Sequence, residues 1–337
     1  MKAVYITQFG GPENLEIREV PDPPKPSGNK VLVRVRAAGL NRADLLQRKG
    51  FYPAPAGYSS NIPGLEFTGE VVEIGDEVSA WNPGDRVMAI TAGEAQAELV
   101  SIDESLLFKI ADQLSFTDAA AIPEAFITAH DAIFTLGELK SGQTLLVHAV
   151  ASGVGIAAVQ LAKQAGATVI GTSRTADKIG RLQELGLEHG IVTGGNPTGR
   201  EGAPLPFFAQ SVQEITNGKG ADVILDLVGA SYFTENLASL NTKGRLILVG
   251  LTGGATSEFD LRLALQKRAR IIGTVLRGRS VEEKTEATRA FVENAMQYIE
   301  SGSIKPIVDK SFAATDVRAA HEYLESNKSF GKVVLEF

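Results

Sequence analysis

The segment with the clearest chemical potential is a glycine turn in the middle of the chain. An apolar run over residues 144–149 leads into Gly153-x-Gly155-x-x-Ala158, and a helical pattern follows. Glycines at this spacing let the backbone approach a pyrophosphate, while the helix N-terminus presents free N–H groups and a positive dipole end to the anion. Because the motif lies between a strand pattern and a helix pattern, it predicts a dinucleotide site. The expected contacts in the turn are Ser152, Gly153, Val154 and Gly155.

The end of the next predicted strand, residues 168–172, indicates which dinucleotide binds. NAD enzymes usually place Asp or Glu near this point to bind the adenosine ribose hydroxyls. Here the strand runs into Ser173 and Arg174 with no acid at its tip, and Lys178 follows four residues after Arg174. Cationic and hydroxyl donors suit a 2′-phosphate, so we predict NADPH and include all three residues in its site. The alternative is a solvated surface cluster that Asp177 partly neutralises.

A parallel sheet is needed to position these residues, and the chain from about residue 115 predicts one. Largely apolar runs alternate with helical segments, as the buried strands of a doubly wound α/β sheet do. The six predicted strands are 144–149, 168–172, 190–193, 223–228, 245–249 and 271–275. A helix over about 125–136 precedes them. Residues 194–206 are dense in Gly and Pro, and we expect a mobile surface loop there.

The first third of the chain is predicted to be β-rich. Residues 31–37 alternate in polarity, and similar short runs follow at 71–74, 86–90 and 98–102, separated by turns that contain Pro or Gly. Many short strands at close spacing predict a partly closed β-barrel or a sandwich. The C-terminal part returns to mixed structure. It contains predicted helices at 282–299 and 317–324 and a final strand at 332–335.

The composition excludes several classes of protein. The chain has 337 residues, room for about two domains, and it contains no cysteine. The absence of cysteine excludes disulfides, Cys-ligated zinc, iron–sulfur clusters and thiol catalysis. The net charge of −7 opposes binding to nucleic acid or to an anionic membrane. The uncharged stretch 141–162 is long enough to span a bilayer, but His148 and the glycine turn favour a strand–turn–helix there. We expect a cytoplasmic protein.

Eight short motifs are spread over nearly the whole chain. They are residues 10–15, 40–44, 64–66, 84–87, 119–124, 153–163, 222–226 and 331–335. Together they resemble the zinc-free quinone oxidoreductase family of the medium-chain dehydrogenase/reductase superfamily. Within that family the likeness is greatest to the branch of the tumour-suppressor-inducible quinone oxidoreductase.

The resemblance implies an architecture and an assembly. A GroES-like, partly closed β-barrel forms the catalytic domain from residues 1–125 and 269–337. It surrounds an inserted NADP-binding Rossmann domain, residues 126–268, with a six-stranded doubly wound parallel sheet. The substrate is expected in the cleft between the domains, and members of the family are often homodimers or homotetramers.

The resemblance also bears on metal use. Zinc-dependent relatives place Cys at the position of Asn41 and His at the position of Leu65, and neither ligand is present here. The four histidines are widely separated and show no ligand spacing. Hydride transfer is therefore expected to proceed without a metal.

Individual roles follow from the same likeness. Tyr52, in a loop rich in Gly, Pro and aromatic residues, is expected to face the substrate as a catalytic group; its alternative is an aromatic packed on prolines. Ser152 is the second candidate catalytic residue, or part of plain turn chemistry. Asn41 is expected either beside the nicotinamide or as a loop-fixing side chain. Thr128 is expected at the carboxamide or ribose, or bonded to its own helix.

The remaining expected contacts concern the cofactor. Leu276, Phe330 and Lys332 match family positions that lie beside it. The set is completed by residues at or after predicted strand ends, namely Thr193, Val228, Gly229, Gly250 and Leu251. Thr193 stands where many relatives carry a tyrosine that packs on the cofactor, and threonine cannot stack. Residues 93–96 lack the aromatic often found in that loop, which predicts a wider or more polar substrate cleft.

Three functions follow as hypotheses. The first is NADPH-dependent reduction of a quinone, and the second keeps the cofactor but reduces an enone or enal. Both reactions develop negative charge on an acceptor oxygen, so the sequence discriminates poorly between them. The third is a non-enzymatic NADPH- or RNA-binding protein, and the acidic net charge opposes the RNA-binding form.

Overall fold

A computed structural model of the chain describes residues 1–194 and 207–337. These residues form two compact units, one from Met1–Ile127 with Leu276–Phe337 and the other from Thr128–Val275. They are called here unit 1 and unit 2. The loop predicted over residues 194–206 lies outside the described residues, apart from Gly194.

The elements of the described residues follow in chain order. The strands are β1 Lys2–Ile6, β2 Leu15–Glu19, β3 Lys30–Leu40, β4 Glu66–Ile74, β5 Arg86–Ile90, β6 Leu99–Asp103, β7 Leu107–Lys109, β8 Thr144–Val147, β9 Thr168–Ser173, β10 His189–Val192, β11 Ala221–Asp226, β12 Leu240–Leu248, β13 Arg270–Gly273, β14 Val308–Ala313 and β15 Lys332–Glu336. The α-helices are α1 Arg42–Arg48, α2 Phe116–Ala119, α3 Pro123–His130, α4 Gly153–Gln164, α5 Ala176–Gln183, α6 Ala209–Ile215, α7 Phe233–Ser239, α8 Leu261–Lys267, α9 Val281–Glu300 and α10 Val317–Glu325.

Unit 1 is built around the long strand β3. Its alternation places Val31, Val33 and Val35 in the core, while Arg34 and Arg36 are exposed. β3 pairs with β4 along one edge and with β6 and then β15 along the other. The sheet has seven strands, six in the order β14-β15-β3-β4-β5-β7 and β6 beside β3, and it contains one parallel pair, β14 with β15. In this mixed sheet the pairing of β15 with β3 brings the first and last parts of the chain together.

Unit 2 is a six-stranded parallel sheet with the order β10-β9-β8-β11-β12-β13. The chain runs outward from β8 to β10, crosses back, and continues outward from β11 to β13. Such a reversal leaves a crevice at the carboxyl ends of the two central strands, β8 and β11, and ligands of doubly wound sheets bind there. The predicted α/β class and the six parallel strands are confirmed.

The structure places one domain boundary and one helix differently from the sequence-based expectation. The predicted division between domains at residues 268/269 cuts before β13, whereas the compact units divide at residues 275/276. The reason is that β13 pairs in register with β12 and so belongs to the parallel sheet. The helix predicted over 125–136 begins at Pro123. Its first part is α3, and the six residues that follow, Asp131–Leu136, form a π-helical turn.

In the described parts of the chain, no helix combines the length and apolarity needed to cross a membrane.

Candidate active site

The glycine turn connects β8 to α4. Ser152 caps the helix, and its Oγ accepts a hydrogen bond from the Gly155 N–H at 3.1 Å. Because the hydroxyl is used there as an acceptor, its own hydrogen remains able to donate to a phosphate oxygen. A Cβ on Gly155 would lie 2.6 Å from the Val150 carbonyl oxygen, so this close approach of helix and turn requires glycine. The turn therefore has the form that a pyrophosphate site needs, and Val154 is partly exposed at its surface.

The ends of β9 and β10 lie side by side and bring Ser173 and Thr193 together. The Thr193 N–H donates to the Ser173 carbonyl at 2.9 Å, and the Thr193 hydroxyl donates to the same oxygen at 3.4 Å. Arg174 follows β9 directly and is exposed, whereas Lys178 is partly buried in α5. The strand end that the sequence marks as free of acids thus carries an accessible guanidinium beside two hydroxyl side chains.

Tyr232 also belongs to this corner, although it is not among the predicted site residues. It lies in a 3-10 turn after β11, is only 4% exposed, and its hydroxyl donates to the Thr193 Oγ1 at 2.9 Å. Burial raises the pKa of the Tyr232 phenol, while the charge of Arg174 lowers it. Many relatives carry a tyrosine where Thr193 stands, and here a phenol reaches the same position from Tyr232, which follows β11. The sequence around residue 232 does not indicate this contact.

A buried chain of hydrogen bonds holds the turn that contains Val228 and Gly229. Their N–H groups donate to the Asp226 Oδ1 at 2.7 and 3.0 Å, and the Asn236 amide donates to the Asp226 Oδ2 at 2.9 Å. The Asn236 Oδ1 must then accept from the His148 Nε2, 2.5 Å away. Burial lowers the pKa of His148 to about 4 and raises that of Asp226 to about 6. His148 is therefore a neutral structural residue.

The other expected contacts in unit 2 are Gly250, Leu251 and Thr128. Gly250 and Leu251 follow β12, and Leu251 is exposed. Thr128 lies in α3 with its Oγ1 buried and without a hydrogen-bond partner among the described residues. The alternative that this hydroxyl bonds to its own helix is therefore not observed. An orphaned buried hydroxyl, a capped helix N-terminus and an exposed arginine are the groups that an NADP-type cofactor would use.

In unit 1, Asn41 and Lys332 are brought together. Asn41 caps α1, and its N–H donates to the Asp44 Oδ2 at 2.7 Å. Its side-chain amide donates to the Glu66 Oε1 at 2.9 Å and accepts from the Lys332 Nζ at 2.7 Å. Lys332 also donates to the Glu66 Oε1 at 2.5 Å and to the Leu40 carbonyl at 2.9 Å. These contacts support the loop-fixing interpretation of Asn41.

The same contacts decide whether zinc fits at this position. The Asn41 Oδ1 already faces the ammonium of Lys332, and Leu65 is a buried apolar side chain with no ligand atom. Within residues 1–194 and 207–337, no group of three or more His, Cys, Asp or Glu side chains is arranged to hold a metal. A divalent cation placed beside Asn41 would be repelled by the ammonium, so the residues present do not fit a catalytic zinc.

Two carboxyl groups near this network have raised pKa values. Burial, together with the nearby carboxylate of Glu66, raises the pKa of Glu124 to about 8. Burial also raises the pKa of Asp44 to about 6, although hydrogen bonds from Asn41 and Gly64 oppose it. The Glu66 carboxylate, in turn, accepts from the Glu124 N–H at 2.8 Å at the start of α3. Unit 1 thus holds one acid that stays protonated at neutral pH.

This raised pKa makes stability depend on pH. The folded state keeps the Glu124 proton up to a pKa of about 8, whereas the unfolded chain loses it near pH 4.5, the ordinary pKa of a glutamate side chain. Across that window the unfolded state binds fewer protons, so the free energy of unfolding falls as pH rises. In Glu124→Gln this loss is absent, and its Tm should rise relative to wild type between about pH 5 and pH 9. Glu293→Gln, at an exposed position of α9, is the control, and a Tm difference for Glu124→Gln that does not change with pH would contradict this assignment.

Tyr52 lies in the loop between α1 and β4 and is partly exposed. Its ring does not simply pack on prolines, because the Arg277 guanidinium lies over it at 5.0 Å from the ring centroid. Burial raises the pKa of the phenol, so it stays protonated and able to donate. No hydrogen bond of the Tyr52 hydroxyl occurs among the described residues. Leu276 and Phe330, also expected near the cofactor, are both buried.

Comparisons with known proteins agree with this fold. Residues 27–131 match the family model described as alcohol dehydrogenase GroES-like domain, and residues 153–293 match the one described as zinc-binding dehydrogenase. A quinone oxidoreductase of Pseudomonas aeruginosa is 32% identical over 341 residues, which cover 99% of each chain. The structure of Escherichia coli quinone oxidoreductase complexed with NADPH is 30% identical and superposes with a TM-score of 0.85 over 100% of each chain. The CurK enoyl reductase structure is 28% identical, with a TM-score of 0.85 over 99% of this chain and 98% of that one. The predicted combination of a GroES-like part and a Rossmann part is confirmed.

Proposed function

Because the chain belongs to the quinone oxidoreductase-like group of the medium-chain dehydrogenase/reductase superfamily, we propose that it transfers a hydride from NADPH to a quinone without a metal. The group makes it an NAD(P)-dependent oxidoreductase. The choice of NADPH, the quinone acceptor and the independence from zinc are the parts that this proposal adds.

The observation that carries the proposal is the carboxyl end of β9. No acidic side chain is present there to bind ribose hydroxyls, and Ser173 and the exposed Arg174 take its place. The Thr193 hydroxyl lies against the Ser173 carbonyl and is fixed by Tyr232. The Arg174 guanidinium would neutralise the charge of a 2′-phosphate bound by these donors. NADH has no 2′-phosphate and would gain nothing from this contact. The NADPH complex of the Escherichia coli relative supports the same choice.

The remaining residues of unit 2 would hold the rest of the cofactor. When bound, NADPH supplies the hydride. Gly153 and Val154 would present N–H groups to the pyrophosphate at the start of α4, Gly155 would allow the close approach of the backbone, and Ser152 would donate its hydroxyl hydrogen there. The unpartnered Thr128 hydroxyl offers a further donor. Val228 and Gly229 are held by Asp226 and need no reorganisation when the cofactor binds.

Unit 1 supplies the group that acts on the acceptor. A quinone that receives a hydride becomes a hydroquinone anion, and it then takes up one proton. The Tyr52 hydroxyl is protonated and without a partner among the described residues, so it can donate to the oxygen on which this charge develops. The Asn41–Lys332–Glu66 network keeps the adjoining start of α1 in place. Catalysis then depends on orientation and hydrogen bonding, with no Lewis acid.

The test of this proposal is the oxidation of NADPH and NADH with a simple 1,4-quinone, with and without a strong chelator. We expect quinone-dependent oxidation of NADPH at a clearly higher kcat/KM than that of NADH, and no change after exhaustive chelation. A rate that disappears with chelation and returns with zinc would contradict the metal-independent part. Equal use of both cofactors would contradict the role of the β9 end.

The second candidate function is reduction of an enone or enal with the same cofactor. The likeness to the CurK enoyl reductase favours it, since that structure covers nearly the whole chain. The developing charge again lies on an oxygen, so Tyr52 would serve both reactions equally. Only the relative rates on the two acceptor classes separate them.

The expected cytoplasmic location stays a prediction.

We also propose a homodimer or homotetramer formed through one face of unit 2. Among the described residues, β13 is an edge strand with one unpaired side, and an unpaired edge is a template for another strand. The adjacent helix α8 has no buried residue, and its Leu261 and Leu265 are 68% and 75% exposed. Exposed leucines beside a free strand edge fit a second copy of the same face around a two-fold axis.

This face predicts the effect of one charge. Leu265→Asp should convert dimers to monomers, or tetramers to dimers, because it buries a carboxylate in the contact. Light scattering coupled to gel filtration measures the mass directly. Val192→Asp places the same charge at an exposed position on the opposite edge strand, β10, and should leave the mass unchanged. An unchanged mass in Leu265→Asp would show that this face is not the interface.

A further inference from the structure

One buried arginine connects three segments of unit 1. Arg277 is 4% exposed, and its Nε donates to the Ala92 carbonyl at 2.7 Å. Its Nη1 donates to the Tyr52 carbonyl at 3.1 Å, and its Nη2 donates to the Gln47 Oε1 at 2.5 Å. These partners belong to the loop after β5, the loop after α1, and α1 itself. A single planar group therefore holds together parts of the chain that are more than 180 residues from it in sequence.

Gln47 extends this connection to the other end of the Tyr52 loop. It is fully buried, and its Nε2 donates to the Ser60 carbonyl at 3.1 Å. The loop is also joined to the segment after β5, because the Ser59 N–H donates to the Glu94 Oε1 at 2.8 Å. The loop that carries Tyr52 is thus fixed at its start by Arg277 and at its end through Gln47. The position of the phenol is a consequence of these bonds.

The guanidinium also acts on the phenol electrostatically. It lies over the Tyr52 ring at 5.0 Å, a cation–π arrangement. The positive charge opposes the rise that burial causes in the pKa of Tyr52, which makes the hydroxyl a stronger donor than the same group without it. The titratable groups that face Arg277 are Asp44, Tyr52 and Glu124, which raise its pKa against the effect of burial, and Lys284, whose own pKa Arg277 lowers.

A purely structural role would not need this charge. Burying a guanidinium is costly, and well-packed apolar side chains often replace a buried charge with no loss of stability. The hydrogen bonds to Ala92, Tyr52 and Gln47 instead hold the guanidinium against the ring of Tyr52. Tyr52 is partly exposed, and its hydroxyl has no hydrogen-bond partner among the described residues. The guanidinium therefore lies where it can act on the Tyr52 phenol in addition to joining the three segments.

We propose that Arg277 is a positioning residue for acceptor reduction: it sets the place of Tyr52 and strengthens its hydroxyl as a donor to the reduced oxygen. This inference rests on the proposed role of Tyr52 in the reaction. It makes no claim about which acceptor is used, because a quinone and an enone would be served alike.

The test compares Arg277→Ala and Arg277→Lys with a matched control. Arg86→Ala is that control, because Arg86 also lies over an aromatic ring of unit 1, at 4.7 Å from Phe116, and donates to the Leu114 carbonyl at 2.6 Å. We expect Arg277→Ala to lower kcat/KM for the acceptor by about tenfold or more, with KM for NADPH nearly unchanged. Arg277→Lys keeps the positive charge but loses the planar set of N–H donors, so its kcat/KM should lie between those of Arg277→Ala and wild type. Arg86→Ala should lower Tm alone.

Two further measurements separate positioning from general destabilisation. Hydrogen exchange of the amides in residues 51–61 should be faster in Arg277→Ala than in wild type, and unchanged in Arg86→Ala. In a Tyr52→Phe background the Arg277→Ala loss should shrink to about threefold or less, because the effect passes through the phenol. Additive losses, or an unchanged acceptor kcat/KM in a folded Arg277→Ala, would overturn the inference.

The outcome can be distinguished from failure of the proposed function. The wild-type rate with a quinone tests the proposed function alone. The ratio of variant to wild type is measured on whichever acceptor the wild type reduces, and it tests Arg277. The exchange measurement needs no turnover.

Discussion

Replacing Arg174 with alanine is expected to raise the KM for NADPH roughly tenfold to a hundredfold and to leave the KM for NADH almost unchanged. The size follows from the loss of a charge-assisted contact between a guanidinium and a phosphate. NADH has no 2′-phosphate, so it loses nothing of comparable strength. Arg174 is exposed and follows β9 directly, so its removal leaves no buried group unsatisfied and should not change Tm. Steady-state kinetics with both cofactors at a fixed acceptor concentration measures the effect.

The control for this experiment is Arg181→Ala. Arg181 is an exposed arginine of α5 in the same unit and lies seven residues after Arg174. Its removal changes the net charge by the same amount, so it reports any general effect of charge on cofactor approach. If both variants weaken NADPH equally, or if Arg174→Ala weakens NADH as much as NADPH, the corner at the end of β9 does not select the phosphate.

The second large effect is expected at Tyr52. Tyr52→Phe removes only the hydroxyl and should lower kcat for the acceptor by about a hundredfold, the usual cost of losing one donor to a developing oxyanion. The affinity for NADPH should not change, because the Tyr52 hydroxyl is proposed to act on the acceptor. Phenylalanine keeps the aromatic ring under Arg277, so the loop should stay in place.

Tyr58→Phe is the matched control for this substitution. Tyr58 lies in the same loop and is 36% exposed, so it tests whether any tyrosine hydroxyl of the loop affects the rate. Single-turnover measurements with NADPH already bound separate hydride transfer from product release. A Tyr52→Phe enzyme that transfers hydride at the wild-type rate would remove Tyr52 from the chemistry, and the inference about Arg277 would be lost with it.

The parallel sheet was predictable because its strands are local features. Apolar runs such as 144–149 and 223–228 mark buried strands, and the glycine turn after the first of them marks the phosphate site. Their ends were predicted less well. In the structure the first strand ends at Val147 and not at residue 149, and the second ends at Asp226 and not at residue 228. At these points the chain leaves the sheet for the turns that face the crevice. A turn residue with an apolar side chain cannot be distinguished from a strand residue by pattern alone.

The contacts that organise the site could not be predicted, because their partners are far apart in the chain. Lys332 and Asn41 are 291 residues apart, and Arg277 and Gln47 are 230 residues apart. In sequence, Arg277 stands in a short run with Arg279 that reads as a solvated surface, since charged residues are rarely buried. Tyr232 is similar, because its contact with Thr193 depends on the order of β10, β9, β8 and β11 in the sheet. Only the assembled fold shows that these polar groups share partners.

The most direct test of the proposed function is the rate of NADPH oxidation with a 1,4-quinone and with an α,β-unsaturated ketone of similar size, under the same metal-chelated conditions. The products, hydroquinone and saturated ketone, identify the bond that received the hydride. We predict that the quinone has the higher kcat/KM by about tenfold or more, a difference that corresponds to roughly 1.4 kcal/mol in the transition state. Rapid turnover of the ketone with no quinone-dependent oxidation of NADPH would contradict the proposal and assign the protein to the enone reductases.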